Sequence, residues 1–286
     1  MLSNPVGNNY FKFKEFTVNQ KDSAMRVNTD GVLLGAWMRL FSSDRRLLDV
    51  GTGTGVIALM AAQRLEKIKS EAGQNSNFLI YGIDNDESSC NEAKINFENS
   101  EWRDNIIAED IDFQQFSARY NNSEVEALLK GIIGQALTMK DALKFDIVFS
   151  NPPYFTDSLK SPYQEKSSAK HNDNLSQADL IKGVTDCLKE SGRFALILPT
   201  DEAEEFLKKI IFLKEHFLKD SVSPFLQLSR KCNVFYKQGE PAKRVMMEFV
   251  YSCTSVNCIE ENLTVQNNGQ YTKEYKELTK KFYLAF

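Results

Sequence analysis

Residues 46–60 read RLLDVGTGTGVIALM. The first five form a short apolar run, the pattern of a strand buried in a core. From Val56 the apolar residues continue at helical spacing through VIALMAAQRLEKI (56–68). Between strand and helix stand Gly51, Gly53 and Gly55, which permit a tight turn and a close approach of backbone to a ligand. Working outward, the same alternation repeats. NFLIYGID (77–84) reads as a strand and ESSCNEAKINFENS (87–100) as a helix. NIIAED (105–110) and FDIVFS (145–150) read as strands. SQADLIKGVTDCLKE (176–190) reads as a helix, RFALILP (193–199) as a strand, and RVMMEFVYS (244–252) as a late strand. Strands and helices alternating at this spacing predict an α/β fold with a parallel sheet covered on both faces.

Upstream, residues 1–10 are expected to fray and 11–20 to form a short strand. Thr29 or Asp30 is expected to cap a helix through GVLLGAWMRL (31–40). Residues 122–143 carry apolar side chains at helical spacing, interrupted by Gly131 and Gly134. They predict an amphipathic helix that packs on its own sheet.

Composition narrows the classes. The chain has 286 residues, of which 42% are hydrophobic, enough for one large domain with at most a small appendage. It contains no long apolar run of membrane-spanning type and no secretory signal pattern. Five scattered cysteines argue against a disulfide framework, and a reducing cytoplasm is expected. Two histidines and no Cys-x-x-Cys pair leave almost no raw material for a Cys/His metal site. A net charge of −4 means that any nucleic-acid surface must be a local basic patch. Candidates are FKFKEF (11–16), Lys160, Lys166 and Lys170, the Arg-Lys pair at 230–231 and the Lys-Arg pair at 243–244.

Three carboxylates close consecutive strands: Asp49, Asp84 and Asp110. Ligands of open α/β sheets bind outside the carboxyl ends of the strands, so these three are expected to line one crevice. Asp84 is placed to accept both hydroxyls of a ribose, and Asp110 to lie near an adenine. A dinucleotide fingerprint requires glycine at 56, where Val56 stands. No Lys-Ser/Thr follows the glycines, so a phosphate loop is excluded. An acidic crevice fits a ligand with ribose, adenine and a cationic amino-acid part but no phosphate. S-adenosylmethionine is such a ligand.

FSNPPYF (149–155) ends the fourth core strand, because proline cannot donate to a strand ladder. Asn151 brings a side-chain oxygen, and Pro152 a carbonyl oxygen, to the edge of that crevice. An exocyclic amine on a base is a poor nucleophile while its lone pair is delocalised into the ring. Two rigid acceptors for its hydrogens turn that lone pair outward, and Pro152 and Pro153 hold the acceptors still. Tyr154 can stack on a flat substrate, and Phe155 can extend the wall.

The glycine turn, Asp84 and Asn151-Pro152-Pro153-Tyr154 together resemble the class I S-adenosylmethionine-dependent methyltransferases that methylate amino groups. The resemblance implies a Rossmann-like, mostly parallel seven-stranded sheet with helices on both faces. FKFKEFTV (11–18), MRVNTDGVLLGAW (25–37), SNPPYF (150–155), AKHNDNLS (169–176) and YTKEYKELTKKFYLAF (271–286) extend it over nearly the whole chain. These stretches are similar to the bacterial family that methylates N6 of adenosine 37, beside the anticodon of valine tRNA. The resemblance implies S-adenosylmethionine as cofactor and tRNA as partner; from composition neither a metal nor a membrane is expected, and the chain is expected to be a monomer. It assigns Gly51, Gly53, Gly55, Asp49, Asp84, Asp110, Thr29, Asp30 and Asn151 to the cofactor, and Asn151 to Tyr154 to catalysis. Phe155, Lys12, Lys14, Lys170 and His171 are assigned to the substrate. Residues 1–44 are then a segment covering substrate and cofactor. Residues 45–252 form the catalytic domain with 122–143 as a helical insertion, and 253–286 a C-terminal extension. Asn-Pro-Pro-Tyr also serves methylation of glutamine amides, rRNA and DNA bases, and a non-catalytic binding module is a further alternative. Glutamine methylation would require an N-terminal docking domain, and DNA methylation a long recognition insertion.

Overall fold

The computed structural model describes residues 8–120, 144–153, 175–217 and 223–286. The expected helix at 122–143 lies outside them, as do Tyr154, Phe155, Lys160, Lys166, Lys170 and His171. The first elements of the described residues form a hairpin, β1 (Tyr10–Lys12) and β2 (Thr17–Asn19), where one strand was expected over 11–20. Helix α1 (Thr29–Trp37) follows. Its N-cap is Asn28, not Thr29 or Asp30: the Asn28 side chain accepts from Gly31 N–H at 2.9 Å.

The core alternates as the pattern predicts: β3 (Arg46–Val50), α2 (Val56–Glu71), β4 (Leu79–Asp84), α3 (Glu87–Glu98) and β5 (Ile106–Asp110). Helix α4 (Phe113–Ala118) and β6 (Phe145–Ser150) come next, then α5 (Gln177–Cys187), β7 (Leu188–Pro199) and α6 (Thr200–Phe217). Strands β8 (Phe225–Lys237), β9 (Arg244–Ser252), β10 (Ile259–Asn267) and β11 (Gln270–Tyr271) lead to α7 (Lys273–Thr279). One sheet runs β11-β10-β8-β9-β7-β6-β3-β4-β5. Its central pairs are parallel, and β9 runs antiparallel to both β7 and β8. Among the described residues the sheet therefore has nine strands where seven were expected. The two additional ones, β10 and β11, come from 253–286, and β10 pairs with β8 in parallel.

Side chains alternate across the sheet with a period of two. Leu47, Ile147 and Phe149 face a core completed by α1, α2 and the hairpin. Leu48, Val148 and Leu196 face a second core with α4, α5 and α6. The first core also takes Tyr275 and Phe282, so the chain end packs on the same layer as its beginning. The Phe13 and Tyr283 rings stack with centroids 6.0 Å apart. Parallel order puts the carboxyl ends of β3, β4 and β6 side by side, with Val50 level with Ser150 and Asp49 with Gly82. That edge carries the cavity described below.

Phe282 is 1% exposed. Phe282→Ala is expected to destabilise the whole protein by about 3 kcal/mol, as deletion of a buried ring does. Urea unfolding followed by circular dichroism checks this. An unchanged midpoint would mean that the tail is not part of the core.

Candidate active site

The turn after β3 has its shape because it is hydrogen-bonded to the end of β4. Gly51 and Thr52 both donate their N–H to the Ile83 carbonyl at 2.9 Å. Gly53 N–H donates to Asp84 Oδ2 at 2.8 Å, and Asp86 N–H to Asp84 Oδ1 at 3.0 Å. Gly55 sits at φ 79° and is packed on the Phe97 ring from α3; a Cβ there would lie 2.3 Å from the ring. Gly51, at φ 72°, is the opposite case: a Cβ on it would meet nothing within 4 Å.

That open side is a cavity of about 220 Å³. The glycine turn, Asp84 and Asp86 form one wall, and Asn151 and Pro153 another. Asn28 and Gly31, at the start of α1, close a third side. Ser150 Oγ donates to the Val50 carbonyl at 2.7 Å, which fixes the end of β6, and so Asn151, against the glycine turn. The Asn151 Nδ2 lies 4.0 Å from Met25 Sδ, in the segment that crosses from β2 to α1. Pro152 is buried and Pro153 exposed.

Asp49 lies buried beneath the turn. Thr52 Oγ1 donates to its Oδ2 at 2.9 Å, while its Oδ1 has no hydrogen-bond partner. Burial pushes its pKa up to about 7, against the Thr52 hydroxyl bond; the Asp84 charge adds to the rise. Burial also raises the Asp84 pKa, against the amides of Asp86 and Gly53.

The structure thus brings together Gly51, Gly53, Asp84 and Asn151, with Asp49 and Gly55 supporting the turn from beneath. Other expected residues are placed differently. Asp30 turns away from the cavity: its Oδ2 accepts from Arg244 Nε at 2.7 Å and its Oδ1 from the Tyr236 hydroxyl. Thr29 does not line the cavity either. Asp110 pairs with Asp84 across the strands but is exposed and outside the lining. Lys14 donates to the Lys280 carbonyl at 2.7 Å and to a Phe286 oxygen at 2.6 Å, so it clamps the chain end. Lys12 is exposed on β1. Sequence reasoning missed Met25 and Arg26 as lining residues. They belong to the quoted stretch 25–37, but nothing local indicates that its first residues fold over the glycine turn.

An open backbone face beside a carboxylate suits a ribose, and the acidic wall suits a cationic rather than a phosphorylated ligand. S-adenosylmethionine fits both conditions. Among the described residues no His, Cys, Asp and Glu group is placed to hold a metal, and no helix is long and apolar enough to cross a membrane.

A model of the Eco57I restriction-modification methylase family matches residues 68–235. The fold matches an Agrobacterium tumefaciens protein described as a predicted O-methyltransferase, with a TM-score of 0.56, 16% identity, and 88% and 96% of the two chains covered. P. horikoshii TYW2, in complex with MeSAdo, aligns with a TM-score of 0.51 and 10% identity over 86% of this chain and 73% of its own. Fold and site together define a class I S-adenosylmethionine-dependent methyltransferase. A tRNA1(Val) (adenine(37)-N6)-methyltransferase from Bacteroides thetaiotaomicron is 38% identical over 281 residues, 98% of this chain and 99% of the relative. One from Trichodesmium erythraeum is 33% identical over 98% of this chain and 100% of its own. The chain belongs to this tRNA1(Val) (adenine(37)-N6)-methyltransferase family.

The raised pKa of Asp49 has a consequence for stability. Between its ordinary value of 3.8 and about 7, the folded protein keeps the Asp49 proton and the unfolded chain has lost it. Unfolding therefore releases a proton, and stability falls as pH rises through that window. Asp49→Asn is expected to flatten this part of the pH profile. Urea midpoints of the ligand-free protein from pH 5 to 8 check it, with parallel profiles as the contrary result.

Proposed function

We propose that the protein transfers a methyl group from S-adenosylmethionine to the exocyclic N6 of an adenine in tRNA, at adenosine 37 of valine tRNA. The observation that carries this reading is Asn151 on the wall of the cavity that Asp84 and the glycine turn also line. Support for the substrate comes from family relatives similar along nearly the full chain. The reading takes the protein to be a cytoplasmic monomer that needs no metal.

S-adenosylmethionine supplies an electrophilic methyl group on a sulfonium. The residues do the rest. Asp84 has one carboxylate oxygen on Gly53 N–H and the other on Asp86 N–H, each with acceptor capacity left for a ribose hydroxyl. Gly51 leaves its backbone face open for the ligand to lie against. Asn151 Oδ1 accepts one hydrogen of the adenine amino group, and the Pro152 carbonyl accepts the other. This pairing localises the nitrogen lone pair and orients it toward the methyl carbon. Pro152 and Pro153 fix φ on both sides of the acceptor and lower the cost of holding that geometry. No residue has to remove a proton before transfer: the nitrogen turns cationic on accepting the methyl group and then loses one of its two original protons to solvent. Tyr154 and Phe155 take the stacking role, and Lys12, Lys170 and His171 the RNA contacts. An adenine inside a stacked anticodon loop must be turned out to reach Asn151.

Asn151→Ala is expected to lower kcat about 10²–10³-fold, the usual loss for a positioned polar group at a reacting centre. Donor affinity should fall far less. The assay incubates protein, labelled S-adenosylmethionine and unmodified bulk tRNA, followed by digestion to nucleosides. Label in N6-methyladenosine that disappears in the variant supports the reading. Donor binding with no label in tRNA would overturn the substrate assignment.

A further inference from the structure

Helix α2 borders a second cavity, of about 570 Å³, along its C-terminal half. Gln63, Lys67 and Ser70 recur every three or four residues and so share one face of the helix. The rest of the lining includes Lys14, from the loop of the β1–β2 hairpin, and Lys280 and Lys281, just after α7. Two of these lysines are already engaged: Lys14 donates to the Lys280 carbonyl, and Lys280 pairs with Glu277.

The other cations are not neutralised. Arg64 lines the cavity and donates to the Gly35 and Met38 carbonyls at 2.6 and 2.8 Å, with no carboxylate partner among the described residues. Burial lowers its pKa to about 10; the Arg230 charge adds to the fall and Glu248 opposes it. Lys67 and Lys281 are exposed, and their ammonium groups have no partner among the described residues. Three carboxylates also line the cavity, Glu15, Glu66 and Glu71, but Glu66 accepts from the Trp102 indole N–H at 2.7 Å. One acceptor is unmet as well. Gln63 is 7% exposed; its Nε2 donates to the Lys281 carbonyl at 3.1 Å, and its Oε1 has no partner.

An excess of cations calls for an anion, and a buried acceptor beside them calls for a donor on the same ligand. An RNA backbone offers both, in its phosphates and its 2′-hydroxyls. The position on α2 suits that partner. Val56 and Ile57, at the start of the same helix, line the cavity that holds Asn151. At 1.5 Å of rise per residue, Gln63 to Lys67 stand about 10 to 17 Å further along the axis. A strand of a duplex advances about 3.4 Å per phosphate, so a few nucleotides span that distance.

We propose that this second cavity binds the phosphate–ribose backbone of the RNA substrate, a few nucleotides from the base that reacts, with Lys67 and Lys281 on the phosphates. This rests on RNA as the substrate.

Fluorescence anisotropy with a labelled valine tRNA transcript, over a series of salt concentrations, tests it. The double variant Lys67→Ala/Lys281→Ala is expected to bind the transcript about tenfold more weakly. The slope of log affinity against log salt should become shallower by about 1.5, the release of two phosphate contacts. Lys67→Arg/Lys281→Arg should keep both affinity and slope, because the charges remain. Both side chains are exposed, so an unchanged urea midpoint shows that the fold is intact. Unchanged affinity in the alanine variant, or weaker binding at an unchanged slope, overturns the assignment. A wild-type protein with no measurable affinity for the transcript overturns the RNA reading itself.

Discussion

The bond from Gly53 N–H to the Asp84 carboxylate joins two strands at the one point where both must be correct. On one side it holds the glycine turn against the end of β4. On the other it fixes the carboxylate that faces the cavity. Phe97 presses the turn from below at Gly55, where no side chain fits. The turn is thus held from the side by β4 and from beneath by α3, and only its upper face is free. Asn151 reaches that face because Ser150 ties β6 to Val50 at the end of β3. Parallel register makes these bonds possible, since it brings three carboxyl ends level.

Much of this arrangement was legible in local sequence. A short apolar run, three glycines and a helical pattern are all contained within 46–68, and Asn151-Pro152-Pro153 marks the end of its strand by itself. The missed elements have a different character. In β8, FLQLSRKCNVFYK carries polar residues on both faces, and its pairing with β9 shifts register between Leu228 and Arg230. Period-two alternation is broken there. β10 reads as polar because it lies near the sheet edge, with little apolar surface to bury. The N-cap of α1 was misplaced by one or two residues because Asn28, Thr29 and Asp30 all have capping chemistry. Asp30 was then claimed by Arg244 and Tyr236, more than 200 residues away in sequence.

The same distinction separates the site residues that were found from those that were not. Asp84 and Asn151 are strand-end residues, and strand ends face the crevice in any fold of this class. Arg26 and Met25 reach the cavity only because Glu92, Ser89 and Asn96 hold the segment between β2 and α1, and those bonds join residues 65 to 77 positions apart. No periodicity encodes such a contact. The polar stripe on α3 is visible in sequence, but it reads equally well as a solvated face. Lys14 shows the converse error. Its basic setting suggested RNA, yet its ammonium is committed to the carbonyl groups of the chain end.

Electrostatics supplies a further constraint on what the cavity can hold. Asp49 is buried, one of its oxygens is unpaired, and the Asp84 charge adds to the cost of ionising it. A cation entering the cavity relieves both terms, because it favours the ionised form of each carboxylate. An anion such as a phosphate would add to them. Methyl transfer removes the sulfonium charge, so the attraction between the acidic wall and the ligand is weaker in the product than in the donor. The carboxylates of Asp84 and Asp86 that line the cavity therefore favour the cationic donor over its product.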